Sequence, residues 1–295
     1  MKSQFSNSKT IGDLLQEGQQ HLANTSTSAR LDSEVLLAHV LNTSRSGLLV
    51  RLRDISDAGV SERFALLIER RAKGEPVAYI VGEREFYGLS FEVNPSVLVP
   101  RPETELLVEE ALKFLAGRSS PRVLDLGTGS GCIALSIVHE LVRQGIRDVV
   151  CDAIDISPEA LKVARRNAQR LGVVGQVSFV ESDWCANRLQ LSASYDCIVA
   201  NPPYIDADEE TPVELSYEPQ GALFSSEQGL SDTRRILDQA VPLLAPGGLL
   251  LCEVGASKRG LLQELLASYR ENCEVSCLGD SSEADRFCVV MLRKR

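Results

Sequence analysis

Apolar residues return every three or four positions through the first quarter of the chain, the spacing of one helix face. Ile11, Leu14, Leu15 and Leu22 form one stripe. Leu31, Val35, Ala38 and Leu41 form a second, broadened by Leu36, Leu37 and Val40. Phe64, Leu67, Ile68 and Arg71 carry a third helix, which Ser61 can cap and Gly74 followed by Pro76 can end. Residues 48–59 have room for another short helix. The pattern predicts a small helical bundle over residues 1–76. It contains no cluster of reactive side chains, so packing or partner docking is its expected role.

The period then changes. YIVGEREFYGLSFEV alternates apolar and polar residues around Gly88, which predicts a β-hairpin within a linker spanning residues 77–100. In residues 101–295 strands alternate with helices. Pro102 suits the first turn of a helix running to about Ala116, and Glu103 and Glu105 suit its positive end. RVLDLG, VVCDAIDIS, VSFVESD, YDCIVANPP, LLLCEVG and FCVVMLR read as strands. Between the second and third of these, Ser157 caps a helix with Pro158 in its first turn and Gly172 at its end. Helices are also expected over about 132–145, 231–244 and 258–270, with a turn at Pro246, Gly247 and Gly248. Such alternation predicts a doubly wound α/β domain with a ligand at the C-terminal strand ends.

Composition narrows the function. A chain of 295 residues suggests about two domains. Its 31 basic and 41 acidic side chains give 31 − 41 = −10, which argues against duplex DNA binding. Residues 1–85 are balanced at 11 basic and 11 acidic, so all the excess negative charge lies in the second part. No apolar run approaches the ~18 residues of a membrane span. The start, MKSQFSNSKT, lacks the apolar core of a signal peptide, so a cytoplasmic protein without membrane contact is expected. The eight cysteines include no C-x-x-C pair and do not cluster with His21, His39 or His139. Buried, reduced thiols and no metal site are the expectation.

Three strand ends carry ligand-binding chemistry. The first runs into Gly127, Thr128, Gly129, Ser130 and Gly131, a G-x-G-x-G loop that opens a helix and lets backbone approach a ligand closely. The next ends in Asp155, whose carboxylate can accept from both hydroxyls of a ribose. The third ends in Asp183 and Trp184, which offer an acceptor for an adenine amino group and an apolar wall for a purine. Each of these has a purely structural reading: packing glycines, a helix-proximal cap, a core tryptophan.

A fourth strand ends in Asn201, Pro202, Pro203 and Tyr204. Two prolines fix the backbone and remove two N–H donors. The Asn201 side-chain oxygen and the Pro202 carbonyl remain as an acceptor-rich edge, suited to a group with two N–H donors. An amide nitrogen is a poor nucleophile because its lone pair is delocalised. Two fixed acceptors favour a pyramidal nitrogen and stabilise charge developing on it. Tyr204 can pack against the planar group. Asn201, Pro202 and Tyr204 are the candidate catalytic residues, with Pro203 completing the substrate edge.

DLGTGSG, Asp155, SDW and NPPY, in that order, resemble an S-adenosylmethionine-dependent methyltransferase acting on nitrogen. RRAKGEPVAYIVGEREFYGLSFEV, VLVPRPETELLVEEAL and EPQGAL extend the match: residues 60–295 resemble the HemK/PrmC family, the glutamine N5-methyltransferases of peptide chain release factors. The resemblance implies a Rossmann-like, seven-stranded catalytic domain after the helical bundle and hairpin. It implies S-adenosylmethionine as cofactor and, as substrate, the glutamine in the Gly-Gly-Gln motif of class 1 release factors. Residues 127–131 would hold the cofactor's methionine end, Asp155 the ribose, and Asp183 with Trp184 the adenine side. Residues 201–204 would hold the substrate glutamine, with Asn201 also near the methyl donor, and Glu218 and Pro219 stand in a second substrate-side segment. A monomer is expected.

VELSYEPQGALFSSEQGLSDTRRIL also resembles a sister family that methylates a glutamine in a large-subunit ribosomal protein. That family usually has a Ser-Pro segment where this chain has Arg101, Pro102, Glu103, Thr104 and Glu105, which favours the release factor. A DNA methyltransferase would share NPPY, but this chain has no obvious basic target-recognition domain. A non-catalytic nucleotide-binding scaffold is the reading from a different class.

Overall fold

The computed structural model describes residues 9–186, 191, 194–255, 259–278 and 287–295. The chain divides into two compact units, residues 1–83 with 212–217, and residues 84–211 with 218–295. Among the described residues no helix is long and apolar enough to cross a membrane.

The first unit contains α1 (Ile11–Leu22), α2 (Ala29–Val40), α3 (Arg45–Val50), α4 (Ala58–Ala72) and α5 (Val77–Val81). Thr10 and Asp13 form a reciprocal capping box at the start of α1. Asp57, not Ser61, caps α4: its Oδ1 accepts from the Val60 amide at 2.8 Å, and Ser61 lies inside the helix. Leu22, Leu36, Leu37, Leu48, Phe64 and Ile68 fill the core. Leu31 is 44% exposed, so α2 is turned away from the predicted stripe. Its N-terminal half instead buries Asp32, whose Oδ2 accepts from Arg71 Nε at 2.7 Å. Arg71 also reaches Glu214, in the segment 212–217 that groups with this unit.

Residues 77–81 form a helical turn and not the first strand of the hairpin. Pro76 stands at its start, and Gly82, with φ of 82°, ends it. The hairpin follows as β1 (Glu83–Phe86) and β2 (Leu89–Glu92). It packs with the second unit through Phe86 and Phe91.

The second unit is built on α6 (Glu105–Leu115), β3 (Arg122–Leu126), α7 (Cys132–Arg143), β4 (Val150–Asp155), α8 (Pro158–Leu171), β5 (Val177–Glu181) and β6 (Tyr195–Ala200). There follow α9 (Ser226–Gly229), α10 (Ser231–Ala240), β7 (Leu244–Gly255), α11 (Arg259–Ala267), β8 (Cys273–Leu278) and β9 (Phe287–Lys294). Seven strands form one sheet in the order β5-β4-β3-β6-β7-β9-β8. Strands β3 to β7 are parallel, and β9 inserts antiparallel between β7 and β8. The chain winds outward from β3 to β5, then returns to β6 on the other side of β3. This reversal is the topological switch point at which such sheets bind ligands. Buried apolar side chains, including the small Cys151 and Ala153, on both faces of β3, β4 and β6 build two apolar layers, as burial on both faces requires.

Two further details, both in the second unit, depart from the sequence reading. The turn at Pro246, Gly247 and Gly248 lies within β7 as a bulge: Tyr195 pairs with Leu244, but Cys197 pairs with Leu249. A Cβ on Gly248 would meet the Ala245 and Tyr195 carbonyls at 2.9 and 3.0 Å, so only glycine fits this bend. The edge strand β8 has no counterpart among the strands read from the sequence. Its Cys277 is exposed, unlike the buried Cys132, Cys151, Cys185, Cys197, Cys252 and Cys273.

Candidate active site

The C-terminal ends of β3, β4, β5 and β6 open on a cleft of about 370 Å³. Gly127, Gly129, Asp155, Asp183, Trp184, Asn201 and Pro203 line it, together with Val97, Leu98, Ile156, Ala222, Asp232 and Arg235. Thr128, Ser130, Gly131, Pro202 and Tyr204 are not among its lining residues.

The glycine loop is clamped to the neighbouring strand. The Gly127 and Thr128 amides both donate to the Ile154 carbonyl, at 2.9 and 2.7 Å. The Gly129 amide donates to Asp155 Oδ2 at 2.8 Å. Thr128 turns inward, and its hydroxyl donates to Asp125 Oδ2 at 2.7 Å. Gly131 has φ of 84° at the N-cap of α7, and a Cβ there would meet Leu135 Cδ1 at 2.8 Å. Its role is therefore the turn and helix packing. Gly129 differs: φ is 55° and nothing lies within 4 Å of the site of its absent Cβ, so this position leaves space open.

Asp155 closes β4. Besides the Gly129 amide, it accepts from the Ser157 amide through Oδ1 at 2.9 Å. Burial raises its pKa, and these backbone donors oppose that shift. The carboxylate's four lone pairs leave capacity for a further donor beside the Gly129, Ser157 and Ile156 amides.

The indole ring of Trp184 lies over Gly127, whose Cβ would sit 3.2 Å from Trp184 Cζ3. Trp184 itself has φ of 49°, in the left-handed region. Its Nε1 donates to Asp232 Oδ1 at 3.0 Å, and Asp232 Oδ2 accepts from the Ser225 hydroxyl at 2.7 Å. Arg235, one turn along α10, donates to Asp183 Oδ2 at 2.6 Å. The first turns of α10 thus brace the purine wall expected from Asp183 and Trp184. The sequence reading missed Asp232 and Arg235; their i, i+3 spacing marks one helix face but gives no hint of the partner strand.

At the end of β6, Asn201 Nδ2 donates to Thr104 Oγ1 at 3.0 Å. The Thr104 hydroxyl in turn donates to Glu253 Oε2 at 2.8 Å, and the Tyr204 hydroxyl donates to Glu253 Oε1 at 3.1 Å. Thr104 is 2% exposed and Glu253 1%. Burial pushes the Glu253 carboxyl up to about 7, and burial with the adjacent Glu253 carboxylate raises the Tyr204 phenol. Glu218, also buried, accepts from the Val99 amide at 2.9 Å and from Arg101 Nη2. It therefore fastens the segment leading into α6 to the segment of Pro219. Both Thr104 and Arg101 come from the motif RPETE, whose partners Glu253 and Glu218 lie far along the chain.

Residues 13–82 match the family model of the PrmC N-terminal domain, and residues 118–288 match that of a methyltransferase domain. A release factor glutamine methyltransferase of Burkholderia pseudomallei is 45% identical over 242 residues, covering 80% of this chain and 83% of that protein. One of Nitratidesulfovibrio vulgaris is 39% identical over 284 residues, covering 94% of each. Among solved structures, a methyltransferase of Pyrococcus furiosus aligns with a TM-score of 0.51 at 20% identity, over 79% of this chain and 98% of its own. A class I S-adenosylmethionine-dependent methyltransferase of Listeria monocytogenes aligns with a TM-score of 0.51 at 15% identity, over 96% and 86%. At such identities the structural likeness speaks for the fold alone.

Proposed function

Because this chain belongs to the release factor glutamine methyltransferase family, we propose that it transfers a methyl group from S-adenosylmethionine to the side-chain nitrogen N5 of a release factor glutamine. The glutamine is that of the Gly-Gly-Gln motif in class 1 release factors, and the work is done in the cytoplasm by a monomer.

The residues present fit the cofactor. The opening above Gly129 is one that any Cβ would fill, and Asp155 keeps acceptor capacity for a ribose diol. Gly127 and Gly129 would border the methionine end, Asp155 would hold the ribose, and Asp183 with Trp184 would flank the adenine. When bound, S-adenosylmethionine supplies an electrophilic methyl group.

The protein's part is to prepare the nitrogen. Asn201 Oδ1 and the Pro202 carbonyl accept the two amide hydrogens and draw the lone pair out of conjugation. They also stabilise positive charge as it develops on nitrogen. Tyr204, tethered through its hydroxyl to Glu253, walls the plane of the amide. A single glutamine side chain offers little area, whereas stable protein recognition buries on the order of 1,200–2,000 Å². The helical first unit is the natural source of further contact.

One observation carries this reading: Asn201 spends its Nδ2 on Thr104, which leaves its oxygen as the acceptor at a cleft lined by Gly129, Asp155 and Trp184. The test is Asn201→Ala assayed on a full-length release factor. Turnover should fall by roughly 10²–10³, the usual effect of losing one fixed hydrogen-bonding group at developing charge. Near-normal turnover in a folded variant would contradict the role.

A further inference from the structure

Glutamate is out of keeping in LLLCEVG. Leu249, Leu250, Leu251, Cys252 and Val254 are buried apolar residues of a parallel strand, and Glu253 is as buried as they are. A lone buried carboxylate is strongly unfavourable unless hydrogen-bonded, so its partners are informative. The register of the sheet supplies them. Ala200 of β6 pairs with Cys252 of β7, so Asn201 and Glu253 are the next residues along two adjacent strands. Thr104, from the turn before α6, stands between them.

The hydrogen bonds here can run in one direction only. An ionised carboxylate accepts and never donates. The single Thr104 proton goes to Glu253 Oε2, so toward Asn201 the Thr104 oxygen can act only as acceptor. The group of Asn201 that faces it must then be the NH₂, and the Asn201 oxygen must face the other way. A protonated Glu253 would reverse the order. It could donate to Thr104, whose hydroxyl could then donate to the Asn201 oxygen, and the flipped amide would offer N–H groups where the substrate amide needs acceptors.

We propose that Glu253 and Thr104 are positioning residues: through one chain of hydrogen bonds they fix which end of the Asn201 amide meets the substrate. Both are buried and bonded toward Asn201, Glu253 by way of Thr104, so both act through Asn201. The proposal rests on the reading of Asn201 as the acceptor for a substrate amide. Tyr204, bonded to the other Glu253 oxygen, ties both ends of residues 201–204 to the same carboxylate. Arg101 and Glu103, from the turn that carries Thr104, are the other charged groups around Glu253, with opposing effects on it. Since burial pushes Glu253 up to about 7, its ionisation falls within the ordinary working range.

The test compares Asn201→Ala, Glu253→Gln, Thr104→Val and Thr104→Ser in the full-length enzyme. Glu253→Gln and Thr104→Val should lower kcat on a release factor at least tenfold, with S-adenosylmethionine affinity by calorimetry within threefold of the parent. Thr104→Ser keeps the hydroxyl and should stay within threefold of the parent kcat. The parent kcat should rise with pH through about 7 as Glu253 ionises, and Glu253→Gln should lose that limb. An independent readout is the Asn201 side-chain NH₂ pair in ¹⁵N-resolved NMR, identified by its loss in Asn201→Ala. Its shifts should titrate near the same pH in the parent and not in Glu253→Gln. If Glu253→Gln does not fold, the contrast between Thr104→Val and Thr104→Ser decides. Parent-like kcat in Thr104→Val and Glu253→Gln beside an inactive Asn201→Ala would overturn this proposal alone. An active Asn201→Ala would overturn it together with the reading beneath it.

Discussion

The Gly129 amide donates to Asp155 Oδ2 at 2.8 Å, so the glycine loop after β3 and the carboxylate ending β4 are one structure and not two adjacent motifs. Loss of either should disturb both. Asp155→Ala removes a ribose acceptor and also releases the Gly129 and Ser157 amides. S-adenosylmethionine binding should weaken by ~1.5–3 kcal/mol. Gly129→Val fills the open space and strains a backbone at φ of 55°, and should abolish binding. Calorimetry with S-adenosylmethionine and with NAD reads both effects; preferential binding of NAD by the parent would refute the cofactor assignment.

Trp184 is the only tryptophan in the chain and lines the cleft, so intrinsic fluorescence reports directly on that site. Titration with S-adenosylhomocysteine should change its emission saturably. Asp232→Ala frees the indole N–H and should alter the starting spectrum and weaken the ligand. An emission spectrum indifferent to saturating ligand would show that Trp184 does not wall the adenine.

How far such relationships could be read in advance differed by element. The helix α8 was legible from cap to stop: Ser157 accepts from the Ala160 amide, Pro158 opens the first turn, and Gly172 closes it at φ of 72°. All three signals are local. The ends of β3 to β6 were legible for the same reason, since glycine, aspartate and proline mark strand tips within a few residues. β8 was not, because a strand at the sheet edge is mostly exposed and lacks a sustained apolar pattern. Nor did the sequence link Thr104 to Glu253 or Arg101 to Glu218, contacts fixed by sheet register and chain crossing. Ser61 was read as the cap of α4 from residue type alone, whereas the backbone path starts the helix earlier and puts Asp57 at that position.

Asp125 gives the second unit a pH dependence. It is wholly buried, and burial pushes it up to about 7 from 3.8 despite bonds from Thr128 and Ala134. Between those values the folded state holds a proton that the unfolded state gives up. The stability it contributes is thus fully present below about 3.8 and is lost as pH rises through about 7. Asp125→Asn should flatten this part of the profile, as measured by urea unfolding at fixed pH values. An unchanged slope between pH 4 and 7 would contradict the assignment.

In the first unit, Arg71 and Asp32 have side chains only 8% and 9% exposed. Arg71→Met leaves Asp32 buried with, among the described residues, the Ser26 and Ser28 hydroxyls as its side-chain partners. The loss should be about 3 kcal/mol, as for other buried pairs deprived of one member. Thermal unfolding with a probe in this unit measures it, and a change under 1 kcal/mol would show the pair to be dispensable.

The central claim is the identity of the methylated atom. The enzyme should be incubated with labelled S-adenosylmethionine and, separately, a class 1 release factor and a large-subunit ribosomal protein, and the products mapped by fragmentation mass spectrometry. The account predicts one methyl group on the release factor, on the side-chain nitrogen of the Gly-Gly-Gln glutamine. It predicts none on the ribosomal protein. Label on the ribosomal glutamine instead, or no transfer to either protein by an enzyme that binds S-adenosylmethionine, would contradict it.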